Sequence, residues 1–311
     1  MTEAEVKERA KEINEALAAN FLMADLSIRS FSGKTVDSEV SDEVISNKGA
    51  VRGSGKFVKD MFVGADAEIK EINTLSGSVR SLVYQRTIPM SNNSSGAKRG
   101  HRLVNATASL QLLREITPII KDHSDAIDKL LNVYDLRVSE ALSNLAGMGK
   151  RSDYPLKEDI KNRFAVTIDL LPVPSIADYS RTSIPSALAD ALAQRRADST
   201  VAMFNNGMDD LKTRLLDKLQ NMHKQLGKQA AGESPRLYDS LVTNLQDQVA
   251  VVRSMNVMGN PALTALADKI ERELLAHPVE AYRLSPTAAA KVSEAAQNLA
   301  VEAALDAIWQ Q

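Results

Sequence analysis

Apolar residues recur every three or four positions over most of this 311-residue chain. Such spacing places them on one face of an α-helix. The longest regular stretch contains Pro118, which either kinks that helix or begins a new one after Thr117. The predicted helices cover about 2–17, 66–88, 112–145, 185–227, 234–255, 260–275 and 285–309.

Two stretches follow a different pattern, in which apolar and polar residues alternate. They lie near 25–31 and 164–171, and the second is closed by Pro172 and Pro174. Alternation is typical of a strand with one buried face. Aromatic residues make up only 4% of the chain, which favours helix elsewhere. We therefore predict a mainly α fold, with long helices packed around a small antiparallel sheet that these two strands form.

The sequence GKQAAGES at 227–234 resembles a linker. A boundary there would give a helical domain with the small sheet over 1–228 and a C-terminal helical region over 233–311. A tight turn between two helices of one domain explains the same residues equally well. Both organisations remain open at this point.

Composition restricts the class of protein. The chain has no cysteine, which excludes disulfides, thiol nucleophiles and cysteine-based metal sites. No apolar run approaches the roughly 20 residues of a membrane span, and the first residues are charged. The formal net charge is only −2, so any nucleic-acid binding needs a local patch. We expect a cytoplasmic protein without membrane contact.

No motif for catalysis, cofactor binding or metal binding emerges. The segment Gly49–Phe57 resembles a phosphate-binding loop, but its spacing is wrong and Phe57 stands where Ser or Thr is needed. The four histidines are far apart, and His123 lies on an apolar helix face, as a core histidine does. We therefore expect no enzyme, although carboxylates brought together only by folding would escape such a search.

One segment has an unusual charge pattern. No Asp or Glu occurs from Ile72 to Arg114. The segment predicts an anion-binding or nucleic-acid-binding site, because phosphate contacts need mainly positive charge. An ordinary polar loop is the alternative. We also expect that replacing Lys98, Arg99 and Arg102 together changes stability by less than about 1 kcal/mol, because all three are assigned to an exposed loop. The candidate residues are Arg80, Arg86, Lys98, Arg99, Arg102 and Arg114.

The apolar stripes over 116–145 and 208–226 run close to heptad spacing. This suits antiparallel packing within the chain, which we favour, or packing against another copy. Trp309 near the end of the sequence either docks on the body or anchors a subunit contact.

Three segments resemble successive blocks of an uncharacterised phage and plasmid protein family. They are ADLSIRSFSGKTVDSEVSDEV at 24–44, SDYPLKEDIKNRFAVTIDLLPVP at 152–174 and LYDSLVTNLQDQVAVVRSMNVMGNPALTALADKIERELL at 237–275. The resemblance extends in order over most of the chain. The SNNSSGAKRG insert at 91–100 departs from the family's pattern.

Genes of that family often lie near those for MoxR-type AAA+ ATPases and von Willebrand A-type proteins. The resemblance therefore implies a phage or mobile-element origin, a host-cell cytoplasmic location and an AAA+ ATPase partner. It transfers no catalytic residue. Together with the apolar stripes, it predicts a non-enzymatic interaction or assembly protein that forms a homo-oligomer or acts as an adaptor. Nucleic-acid binding through the segment 72–114 is the alternative function.

Overall fold

The computed structural model describes residues 3–90, 100–175, 185–233 and 235–309. The helices are α1 Glu3–Asn20, α2 Ser38–Asn47, α3 Ala67–Arg86, α4 Ala106–Leu145, α5 Lys157–Lys161, α6 Ser186–Ala230, α7 Ser240–Met255, α8 Pro261–Leu274, α9 Val279–Leu284, α10 Pro286–Ala303 and α11 Asp306–Trp309. The strands are β1 Phe21–Arg29, β2 Lys34–Asp37, β3 Phe57–Asp60, β4 Ile88–Pro89, β5 Arg102–Asn105 and β6 Ala165–Pro172. The mainly α fold with a small antiparallel sheet is confirmed.

The main sheet has four strands in the order β4-β5-β1-β6. The two strands expected from the sequence, β1 and β6, are neighbours in it. Strand β5 runs antiparallel to β1, from Phe21 opposite Asn105 to Ala24 opposite Arg102. Strand β1 begins at Phe21, earlier than predicted, because the apolar run 21–24 directly follows Asn20, the last residue of α1, and belongs to the strand.

The helix α4 runs unbroken from 106 to 145 with Pro118 inside it. The alternative of a new helix at Pro118 is therefore wrong. The Thr117 hydroxyl donates to the carbonyl of Leu113 at 2.7 Å. Pro118 lacks the N–H that would donate to the carbonyl of Arg114, and the Thr117 hydroxyl bonds the neighbouring carbonyl on the same turn.

The described chain divides into two compact units. Unit 1 comprises 1–25, 83–112 and 169–311, and unit 2 comprises 26–82 and 113–168. The division differs from the predicted boundary at 228–233, which lies within unit 1. There α6 and α7 pack on each other, with Leu226 and Leu237 both buried in one core. Residues 227–230 are thus the last turn of α6, and the chain turns after them toward α7 within the same unit.

Unit 1 is built around the long helix α6, which packs against α1, α7 and α10. Small residues let α6 and α10 approach closely, and a Cβ added at Gly227 would come within 3.3 Å of the Ser293 hydroxyl. That hydroxyl donates to the His223 carbonyl at 2.9 Å. Trp309, the one tryptophan of the sequence, is buried in this core, and its indole N–H donates to the Ala303 carbonyl at 2.8 Å. It therefore docks on its own chain.

Unit 2 has an aromatic core. Phe62 lies edge-on to Phe31 and Tyr154, with ring centroids 6.2 and 5.2 Å apart. Edge-to-face contacts of this kind align the positive ring edge with the negative face. The Tyr134 hydroxyl donates to the Pro155 carbonyl at 2.8 Å, which satisfies a polar group that would otherwise be buried alone.

His123 lies buried on α4 in unit 2, 3% exposed, and its Nε2 has no hydrogen-bond partner among the described residues. Burial lowers the pKa of His123 below its usual value. The unfolded chain therefore binds a proton more readily, so unit 2 loses stability as pH falls below about 6.5. We expect His123→Leu to flatten this loss, by up to about 1.4 kcal/mol per pH unit.

Urea unfolding followed by far-ultraviolet circular dichroism at pH 7, 6 and 5 measures the effect. The exposed His277 provides the matched control, His277→Leu, which should keep the parent's pH dependence. Parallel pH profiles for the parent and His123→Leu would contradict the assignment.

Candidate interaction surface

The prediction that Arg102 lies in an exposed loop is wrong. It begins strand β5, is only 7% exposed, and its guanidinium stacks over Tyr84 at 4.4 Å from the ring centroid. Its Nε donates to the Thr87 hydroxyl at 2.6 Å and its Nη2 to the Thr87 carbonyl at 3.0 Å. Burial lowers the pKa of Arg102 to about 10, which leaves the side chain charged at neutral pH. The polar residues before it gave the appearance of a longer loop.

A second arginine, Arg214 of α6, lies partly buried at the same place in unit 1, and the sequence did not indicate it. Its Nη1 donates to the Tyr84 carbonyl at 2.9 Å and its Nη2 to the Thr87 carbonyl at 3.2 Å. Asp210, one turn before it, lies 2.9 Å from its Nε. The last carbonyls of a helix have no donor within the helix. Arg102 and Arg214 therefore cap the end of α3, which is a structural role.

The other predicted basic residues do not form one site and have different roles. Arg86 forms an ion pair with Asp247 at 2.7 Å in unit 1. Arg80 and Arg114, both in unit 2, are exposed and make no ion pair with any described residue. Lys98 and Arg99 lie outside the described residues. At least two of the six candidates thus serve the fold of unit 1.

A different surface stands out in unit 2, on the two-stranded sheet of β2 and β3, which are connected through α2 and which we call the hairpin. The strands pair antiparallel, with Lys34 opposite Asp60 and Val36 opposite Val58. Side chains alternate between the two faces of a strand, so these four residues share one face. Val36 is 47% exposed and Val58 is 54% exposed. We call this the valine face.

The opposite face of the same hairpin holds buried charge. Lys59 is 5% exposed, and its Nζ donates to Asp37 Oδ2 at 2.9 Å, Asp153 Oδ2 at 2.8 Å and the Met148 carbonyl at 2.8 Å. These residues form the lysine cluster. All three N–H bonds of the ammonium group are used. The hairpin thus buries an ion cluster and exposes two valines, the reverse of the usual arrangement.

The electrostatics of the lysine cluster favour its charged form. Burial works to lower the pKa of Lys59, but hydrogen bonds to Asp153 and Asp37 outweigh it and raise that pKa above its usual value. The hydrogen bond from Lys59 lowers the pKa of both aspartates. A lysine held as ammonium is neither a nucleophile nor a base, so the cluster serves to fix the hairpin.

Backbone geometry shows which groups of β3 point outward. The Ser41 hydroxyl accepts from the Phe57 N–H at 2.8 Å and donates to the Asp37 carbonyl, so it bridges this strand pair. The backbone groups of Phe57 and Asp37 therefore point toward each other, and hydrogen-bonded pairs alternate along an antiparallel ladder. The backbone N–H and C=O of Val58 consequently point away from β2. Among the described residues no strand pairs with this outer edge.

The sequence contained a weak signal for this surface. Four-residue strands are too short for a convincing alternation, and β2 carries one apolar residue, Val36. The turn signals Ser32-Gly33 and Gly53-Ser54-Gly55 bracket the region, with positive φ at Gly33 and Gly53. They mark chain reversals, but not which residues pair.

The described residues contain no group of three or more His, Asp or Glu side chains that could hold a metal ion. Over the same residues, every helix is too short or too polar to traverse a lipid bilayer. In comparisons with known proteins, no family model, no curated protein and no solved structure matches the chain. The resemblance to the phage and plasmid family therefore stays an expectation.

Proposed function

We propose that this is a non-enzymatic, phage-type interaction protein that associates with a second copy through the outer edge of β3. The observation that carries the proposal is the valine face on a hairpin with an unpaired edge. An unpaired edge offers a row of backbone donors and acceptors, and a second strand added there satisfies them. Pairing also covers exposed apolar surface, which is the main driving force for association.

Charge complementarity favours a second copy as the partner. Two β3 strands related by a two-fold axis at Val58 would run antiparallel, with Lys56 of one copy opposite Asp60 of the other. Lys56 is exposed and Asp60 partly exposed. Opposite charges directly across an antiparallel pair are favourable and like charges are not. A closed two-fold contact uses the same patch on both subunits, as this arrangement does.

Charge-swapped variants test the proposal. Lys56→Asp places two like-charged pairs in the dimer, and Asp60→Lys does the same with the opposite sign. Each should raise the dissociation constant of the dimer at least tenfold, which corresponds to about 1.4 kcal/mol. Sedimentation velocity at tens of micromolar protein measures this change. An equimolar mixture of the two variants should restore the dimer, because every pair is then complementary.

Val58→Asp supplies a second disruption, and Val301→Asp is its matched control because Val301 is an exposed valine on α10 in unit 1. Only Val58→Asp should dissociate the dimer. The edge contact would be refuted if the parent protein is monomeric at tens of micromolar. It would also be refuted if the mixture of the two charge-swapped variants remains monomeric.

The resemblance supports a further partner, an AAA+ ATPase, for which this chain would act as an adaptor. A pull-down from infected cells with the parent chain as bait tests this, with Val58→Asp as a bait that lacks the self-association surface. Recovery of the ATPase by both baits would separate the adaptor role from the oligomer. If neither bait recovers an ATPase, the adaptor role should be abandoned.

Nucleic-acid binding remains the second candidate, supported by the exposed and unpaired Arg80 and Arg114 among the described residues. Binding of this kind falls steeply with salt and depends little on sequence. Gel shifts with single- and double-stranded DNA and RNA at low salt decide it. Binding that survives Arg80→Ala and Arg114→Ala would have to use other residues.

A further inference from the structure

A polar cleft of about 170 Å³ opens between α6 and α7 in unit 1. Asn221 and Gln225 line it from α6, one helical turn apart, and Asn244 lines it from α7. Arg236 and Tyr238 close it from the segment between the two helices. We call these five residues the amide cleft.

None of the five side chains makes a hydrogen bond or an ion pair with any other described residue, although Arg236 lies over the Tyr238 ring at 5.5 Å from its centroid. Amides that serve the fold behave differently in this unit. Asn105, for example, donates to the Ser254 carbonyl at 3.0 Å. The cleft therefore concentrates donors and acceptors that folding does not use.

The segment that carries Arg236 and Tyr238 is held in place. Arg283 of α9 donates from Nε to the Leu237 carbonyl at 3.0 Å and from Nη2 to Asp239 Oδ1 at 2.9 Å. Leu237 between them is 5% exposed and packs in the core. The backbone from Leu237 to Asp239 is thus fixed, while Tyr238 remains 57% exposed. A fixed backbone with exposed functional groups lowers the entropic cost of binding.

We propose that the amide cleft binds an extended peptide that carries a carboxylate. A side-chain amide offers one acceptor and two donors, which match the N–H and C=O groups of a peptide backbone. Arg236 supplies the charge for a carboxylate, and its planar guanidinium can donate two parallel hydrogen bonds to the two carboxylate oxygens. One cation among three amides suits a peptide better than a nucleic-acid backbone, which requires a series of positive charges. This site is independent of the proposed β3 contact.

An array of eight-residue peptides with Asp, Glu, Asn or Gln at the central positions tests the proposal on the full chain. Peptides with Asp or Glu should bind, and the best of them should lose at least tenfold in affinity when its acid is replaced by the amide. Fluorescence anisotropy of the labelled peptide measures this. Arg236→Ala should lower the affinity for this peptide at least tenfold. Asn221→Ala and Asn244→Ala should each lower it severalfold.

Arg195→Ala is the matched control, because Arg195 is an exposed arginine of α6 outside the cleft. It should bind like the parent. An array without acid-dependent binding, or equal affinities for Arg236→Ala and Arg195→Ala, would overturn the proposal. If a single-stranded oligonucleotide binds instead and Arg236→Ala abolishes that binding, the cleft is a nucleic-acid site and the peptide assignment is wrong. Because Val58→Asp leaves the cleft intact, peptide binding by that variant separates this result from the outcome for self-association.

Discussion

Replacing Arg102 by methionine is expected to lower the free energy of unfolding of unit 1 by about 2–4 kcal/mol. The change removes the donor to the Thr87 hydroxyl, one of the two donors to the Thr87 carbonyl, and the cation over Tyr84. A buried acceptor left without a donor costs its full desolvation penalty, whereas the aliphatic part of the side chain is largely kept. The expected loss is therefore much larger than the change below 1 kcal/mol expected from the sequence for Lys98, Arg99 and Arg102 together.

Trp309 makes the measurement specific, since it is buried in the core of unit 1. Its fluorescence during urea unfolding reports this unit. Arg195→Met is a control on an exposed arginine of the same unit and should shift stability by less than about 0.5 kcal/mol. Equal midpoints for the two variants would show that Arg102 contributes nothing to the cap.

Replacing Lys59 by methionine is expected to destabilise unit 2 by about 2–3 kcal/mol at pH 7. The variant leaves Asp37 and Asp153 without their common cation, and breaking a buried ion pair by removing one partner costs more than the pair itself contributes. The value lies below the roughly 3–5 kcal/mol of fully buried pairs because both aspartates keep contact with solvent.

The pH dependence gives this prediction a second test. Lys59 lowers the pKa of both aspartates below the usual 3.8, so its stabilisation is present above about pH 4 and is lost as pH falls through their folded pKa values. The difference between the parent and Lys59→Met should therefore shrink between pH 5 and pH 3.

Hydrogen exchange of amides in β2 and β3 measures this locally. Lys129→Met is the control, since Lys129 is an exposed lysine of unit 2 paired with Glu71. A pH-independent difference would contradict the role assigned to the two aspartates.

The long helices could be predicted because each repeats its apolar stripe over many turns. In α6, for example, Leu211, Leu215, Leu219 and Leu226 are all fully or almost fully buried. The alternation of β6 was also sufficient. These signals are local. In a helix or strand of this length, a single residue that departs from the pattern does not change the prediction.

The elements that were missed depend on contacts distant in sequence. Lys59 and Asp153 are 94 positions apart, and Arg214 and Thr87 are 127 apart. A lysine or arginine is predicted to lie on the surface until its partners are known, because its charge is costly to bury without them. For the same reason the two units could not be recognised, since each is assembled from separate stretches of chain.

The order of these stretches has a consequence for synthesis on the ribosome. The last residue of unit 2 is 168, whereas unit 1 needs α10, which ends at Ala303. At typical elongation rates the residues between take roughly 7–27 s to make. Over the first part of this interval, until α6 has been made, α1 has no helix to cover Ile13 and Leu17. Helix α1 thus waits with an uncovered apolar face, and a chaperone that shields it would act on this helix before any other part of unit 1.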